Sequence, residues 1–161
     1  MENPEFIDID LQPGHAIRRL HQIAVGIFMQ EMGELGVTPL QYGALQVVHN
    51  QPGIDQRTLA RAIALDASTT GGVVDRLEAR GWLERRTAPE DRRARQLVLT
   101  PAGEQALAQA VPAMLRAQTQ ILAPLTPRQQ TEFMRLVQVL VTQNNALSRA
   151  PAEAPSRPTA G

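Results

Sequence analysis

Gly53 to Arg86 reads GIDQRTLARAIALDASTTGGVVDRLEARGWLERR, and this stretch most narrows what the chain can fold into. An aspartate ahead of a helix accepts hydrogen bonds from the first free backbone N–H groups, so Asp55 and Asp66 mark two helix starts. The first helix carries Leu59, Ala60 and Ile63. The second runs from Ala67 to Arg80, with Val73, Val74 and Leu77 on its buried side, and Gly81 stops it. Only the turn at Ala64-Leu65 separates them. Two short helices on a tight turn, with the small Ala60 where they cross, form a helix-turn-helix.

The residues that follow extend the unit. Trp82 to Arg86, a turn near Pro89 and Gln96 to Thr100 read as a two-stranded hairpin, a wing beside the second helix. Arg76 to Arg95 hold seven arginines against Glu78, Glu84, Glu90 and Asp91, although the formal net charge of the 161-residue chain is zero. Arg92, Arg93 and Arg95 fall at or beside the wing tip, where guanidinium forks suit phosphates and a narrow minor groove. The second helix opens with Ser68, Thr69, Thr70, Gly71 and Gly72, a turn that can approach a groove closely and reach bases or phosphates with its hydroxyls. The candidate DNA contacts are therefore Ser68, Thr69, Thr70, Gly72, Arg76, Arg92, Arg93 and Arg95. A solvated turn with internal ion pairs is the alternative for the wing arginines. Arg76 and Arg80 have Asp75, Glu78 or Glu84 as alternative partners, and Asp91 reads as a positioning partner for arginine.

The flanks are helical. His15 to about Gly33 repeats Ile17, Leu20, Ala24, Ile27 and Phe28 at helical spacing. Thr38-Pro39, Thr100-Pro101 and Thr126-Pro127 each place a capping threonine before a proline at the first helical position. Pro112 predicts a kink or break in the helix after Thr100. The last helix puts Phe133, Leu136, Val137, Leu140 and Val141 on one stripe; an intramolecular core is the alternative, but the lack of an obvious partner inside a chain this small favours a dimer seam. The predicted organisation is an arm and dimerisation helix (1–36), a winged helix-turn-helix (37–100), C-terminal dimerisation helices (101–148) and a disordered Pro/Ala/Ser-rich tail from Ala150, within 149–161. The fold class is mainly α with a small β-hairpin wing.

Other chemistry finds little footing. No cysteine is present, which excludes disulfides and thiolate metal sites. Three scattered histidines make a poor zinc site, and no phosphate loop, nucleophile elbow or triad suggests an enzyme. No catalytic residue, metal or cofactor is assigned. No apolar run approaches a membrane span, so a cytoplasmic protein is expected.

"LARAIALDASTTGGVVDRLEARGWLERR", "DRRARQLVLTPAGE", the Asp-x-Arg of Asp91 and Arg93 and the "LTPAG" opening the next helix together resemble the MarR family of transcriptional regulators, over about residues 12 to 147. Gly71-Gly72 departs from the commoner bulkier residues. The resemblance implies a homodimer with interlocked terminal helices, binding double-stranded DNA at a palindromic operator and acting most often as a repressor. It also implies release by a small aromatic, anionic effector bound between the dimerisation helices and the DNA-binding lobe. His15, Arg18 and Arg19 share one side of the first helix, and an arginine fork beside imidazole would hold a carboxylate. Tyr42 and His49 are candidates to complete that pocket. The equal alternative is a solvated helix face or an interfacial ion pair. The effector expected is a hydroxybenzoate- or hydroxynicotinate-like acid. The rival to a ligand-responsive regulator is a winged helix serving as an architectural or protein-interaction module without a ligand.

Overall fold

The structure is a computed structural model and describes residues 7–153. Six α-helices and one hairpin follow in order: α1 (Pro13–Met32), α2 (Pro39–Asn50), α3 (Gln56–Ala62), α4 (Ala67–Ala79), β1 (Leu83–Thr87), β2 (Arg95–Leu99), α5 (Pro101–Leu122) and α6 (Pro127–Gln143). The fold is mainly helical with a two-stranded antiparallel sheet.

The capping chemistry is as the sequence predicts. Asp55 and Asp66 accept from the backbone N–H of Thr58 and Thr69. Thr38 and Thr126 form full capping boxes with Gln41 and Gln129. Each cap satisfies N–H groups that the helix leaves open. The ends of α3 and α4 share one geometry. Leu65 N donates to Ala60 O and Ala64 N to Arg61 O; Trp82 N donates to Leu77 O and Gly81 N to Glu78 O. In each pair a left-handed residue follows the helix, Gly81 at φ 71° but Ala64 at φ 54°.

One core joins these parts. Leu45 of α2, Leu59 of α3, Leu77 of α4, Leu83 of β1 and Leu97 of β2 are fully buried against one another. Ile54 extends the hairpin: Gly53 N donates to Leu97 O and Leu97 N to Ile54 O, both at 2.9 Å. The same core continues between α1 and α5 through Phe28, Met32, Leu107, Ala110, Ala113 and Ala117, and Arg116 of α5 donates to Glu31 of α1 at 2.8 Å.

Two expectations are narrowed by the structure. Of the kink or break expected at Pro112 the break is absent, for helix α5 continues through that residue. Proline removes the bond to the carbonyl four residues back, and that residue, Ala108, is exposed, which lowers the cost of the missing donor. Residues Ala150 to Glu153, expected to be disordered, are tied to the rest of the chain by hydrogen bonds to Asn145 and Arg61. The remainder of that tail, 154–161, lies outside the described residues.

The glycine of LTPAG has a steric cause. A Cβ on Gly103 would overlap the backbone carbonyl of Trp82. That carbonyl also accepts from Thr100 N at 3.1 Å, so the first turn of α5 sits directly on the chain entering β1.

Candidate nucleic-acid interface

The sequence of α4 divides its side chains between core and solvent. Val73, Val74 and Leu77 face inward as predicted. Thr70 joins them: it is fully buried and its Oγ1 donates to Asp66 O at 2.8 Å. It lies three and four residues before Val73 and Val74, hence on the same helix face. Thr70 is therefore withdrawn as a DNA contact. Thr69 is exposed, but its backbone N–H and Oγ1 both donate to the Asp66 carboxylate, at 2.8 and 2.7 Å. These bonds, the backbone one first, hold Asp66 below the usual carboxylate range. Ser68 is exposed, and a Cβ on Gly72 would meet nothing within 4 Å, so that helix surface is smooth and open.

The arginines fall into two groups. Arg85 of β1 is enclosed by acids: Nη2 donates to Asp75 at 2.6 Å and to Gln56 at 3.3 Å, and Nη1 donates to Glu78 at 2.5 Å. Burial alone would lower its pKa, but the bonds to Asp75 and Glu78 outweigh it and raise the value. Arg80 turns back, giving Leu35 O a bond of 2.7 Å and lying 3.5 Å over the Trp82 ring. The alternatives left open for Arg80 are thus resolved toward backbone and ring. The acids named as partners for Arg76 are taken by Arg85 and, for Glu84, by Arg86.

Arg76, Arg92 and Arg93 have no ion pair among the described residues, and all three are exposed. Asp91 positions the wing tip through the backbone: its Oδ1 accepts from Arg93 N at 2.9 Å. Arg95 stands lower on the wing, where it donates across the hairpin to Thr87 at 3.3 Å. Sequence reasoning missed Arg85, whose contacts depend on how β1 crosses α3 and α4. The bridge ties the wing to α4 and occupies Asp75 and Glu78, so that neither acid pairs with Arg76, Arg92 or Arg93.

The proposed effector residues form two groups. Arg18 donates to Gln22 at 3.0 Å and meets His15 Nδ1 at 3.3 Å, while Asp10 lies within 4 Å of both His15 and Arg19. Tyr42 packs edge-on against Phe28 with centroids 6.0 Å apart and donates to Gln46; burial raises its pKa. Phe28 lies ten residues beyond Arg18 on one helix, about 15 Å at 1.5 Å per residue. His49 meets Glu104 of α5 at 2.6 Å. No hydrogen bond or ion pair among the described residues links Tyr42 or His49 to the His15, Arg18 and Arg19 cluster.

The family model described as MarR family matches residues 35–94, the helix-turn-helix and most of the wing. Transcriptional regulator HosA of Escherichia coli O111:H- is 32% identical over 127 residues, which span 79% of this chain and 93% of HosA. The chain belongs to the MarR family. A protein of Thauera aromatica named as transcriptional regulator of the hcr operon is 40% identical over 110 residues, 68% of this chain but only 66% of that protein. Two solved structures, one of them of a transcriptional regulator, share the fold. PcaV of Streptomyces coelicolor, in complex with its natural ligand, is 33% identical with a TM-score of 0.78, covering 85% of this chain and 96% of PcaV. BpsR of Bordetella bronchiseptica, whose DNA binding is regulated by 6-hydroxynicotinic acid, is 28% identical with a TM-score of 0.78, covering 84% of this chain and 96% of BpsR. This MarR-family chain is thus a winged helix-turn-helix of the transcription-regulator class, and no helix among its described residues is long and apolar enough to cross a membrane.

Proposed function

We propose that the chain acts as a homodimer, binds a palindromic operator and represses transcription until a small aromatic carboxylate releases it. The observation that carries the reading is the Arg85 bridge. It holds the wing against α4 while Arg76, Arg92 and Arg93 remain unpaired among the described residues, a rigid frame with free cations suited to a duplex. Ser68 and Gly72 face the major groove in this reading, with Arg92 and Arg93 on the minor groove or backbone and Arg95 beside them. The exposed apolar residues of α1 and α6 supply the dimer seam.

The effector proposal rests on His15, Arg18 and Arg19 and on the ligands named for the related regulators. Arg18 and Arg19 stand ready to exchange their present partners, Gln22 and Asp10, for a planar carboxylate. In this reading Tyr42 and His49 complete the pocket, with the second subunit of the dimer closing it. The ligand must bind better to a dimer geometry that misplaces the recognition helices.

The test is an operator-release titration with hydroxybenzoates and hydroxynicotinates. Arg18→Ala and Arg19→Ala should weaken the response about ten- to hundred-fold, the cost of a lost charge-assisted bond, and leave ligand-free DNA binding unchanged. Wild-type release by both variants places the effector site elsewhere. Wild-type release by no acid at all favours the ligand-independent module.

A further inference from the structure

The residues after α6 return to the helix-turn-helix. Asn145 grips Ala152 with both ends of its amide: Nδ2 donates to Ala152 O at 3.1 Å and Oδ1 accepts from Ala152 N at 2.9 Å. Glu153 N then donates to Arg61 O at 3.1 Å, and its carboxylate meets Arg61 Nη1 at 3.3 Å. Arg61 O, which already accepts from Ala64 N at the end of α3, takes the Glu153 N–H as a further donor. The strap between these anchors is laid against Gln56, Arg57, Ala60 and Arg61 of α3. With them and with Asp66 and Ala67, where α4 begins, it lines a cavity of about 700 Å3.

Charge around that cavity is uneven. Glu153 matches Arg61, and the Asp66 carboxylate is engaged by Thr69. Arg57 and Arg149 are exposed and have no ion pair among the described residues. Two exposed arginines without an ion pair among the described residues, one carried by the strap, therefore line the same cavity as Asp66 and Ala67 at the start of α4. The major groove is about 12 Å wide, so a helix seated in it has backbone phosphates close to its flanks.

We propose that the strap is part of the DNA-binding surface and that Arg149 contacts an operator phosphate beside the recognition helix. The inference rests on the operator-binding reading above and adds a segment that neither the helix-turn-helix nor the wing contains. Asn145 acts as a positioning residue, because it holds the strap and carries no charge.

The test is a salt titration of the full chain on a duplex enriched by the wild-type protein from a random-sequence pool. Each lost phosphate contact lowers the slope of log affinity against log salt by about 0.9 per subunit. Arg149→Ala should show that loss, and Arg149→Lys should keep the wild-type slope. Asn145→Ala removes no charge, so a lowered slope there reports release of the strap. A wild-type slope in either Arg149→Ala or Asn145→Ala overturns the proposal, and so does an affinity loss at unchanged slope. Arg93→Ala, measured beside them, separates the two readings: if it too keeps the wild-type slope, the operator-binding frame itself fails.

Discussion

The helix-turn-helix core and helix α6 use the same aliphatic residues to opposite ends. Leu45, Leu59 and Leu77 are 0% exposed, whereas α6 buries no residue and its Leu140 is 54% exposed. Helix α1 shows both behaviours along one length: Phe28 and Met32 are buried, while Ile17 and Ile23 stay open. The difference lies in where the packing partner comes from. The lobe finds its partners within this chain, through three capped helices, a hairpin and the α5 start clamped on Trp82. The open faces of α1 and α6 have apolar area to bury and no covering partner among the described residues. A second copy is the proposed occupant, and this division makes the two regions separable by mutation.

The largest effect is expected where the outer region is broken alone. Leu140→Asp would bury a carboxylate in the proposed seam, raising the dimer dissociation constant at least about 100-fold, roughly 3 kcal/mol. Sedimentation equilibrium should show monomers whose far-ultraviolet dichroism is still that of the wild type. A dimer that persists would remove α6 from the seam.

Next comes the inner region. Gly103→Ala forces the α5 start away from Trp82 and should cost about 3 kcal/mol in urea unfolding at fixed protein concentration. Unchanged stability would mean that the close approach is not a constraint on the fold.

The smallest effects compare the two helix ends inside the lobe. Gly81→Ala should destabilise by about 1 kcal/mol, since a side chain there enters the left-handed region. Ala64→Gly should stabilise by about 0.5–1 kcal/mol, after allowing for the greater backbone entropy of glycine. Equal signs for the two changes would contradict the shared geometry of these turns.

Local chemistry was legible in the sequence because its causes are local. The Thr-Pro and Asp caps, the stop at Gly81 and the Arg-rich hairpin all rest on residues within a few positions of one another. Thr70 was legible too, since it shares the stripe of Val73, Val74 and Leu77; its hydroxyl drew the reading outward. What the sequence hid is contact at a distance. Arg85 meets Asp75, Glu78 and Gln56 only once β1 has crossed both helices, and Glu153 reaches Arg61 from 92 positions away. The face shared by His15 and Arg18 was visible from spacing, but Asp10 beside it was not. Tyr42 and His49 carry no local signal that ties them to that face, and no hydrogen bond or ion pair among the described residues joins them to it.

Enrichment of duplex DNA from a random-sequence pool by the purified wild-type chain tests the central claim most directly. Two winged helix-turn-helix lobes related by a two-fold axis should select an imperfect palindrome of roughly 16–20 base pairs, its half-sites about one helical turn apart. Recovery of a single unrepeated half-site, or of no preferred sequence, would contradict the account.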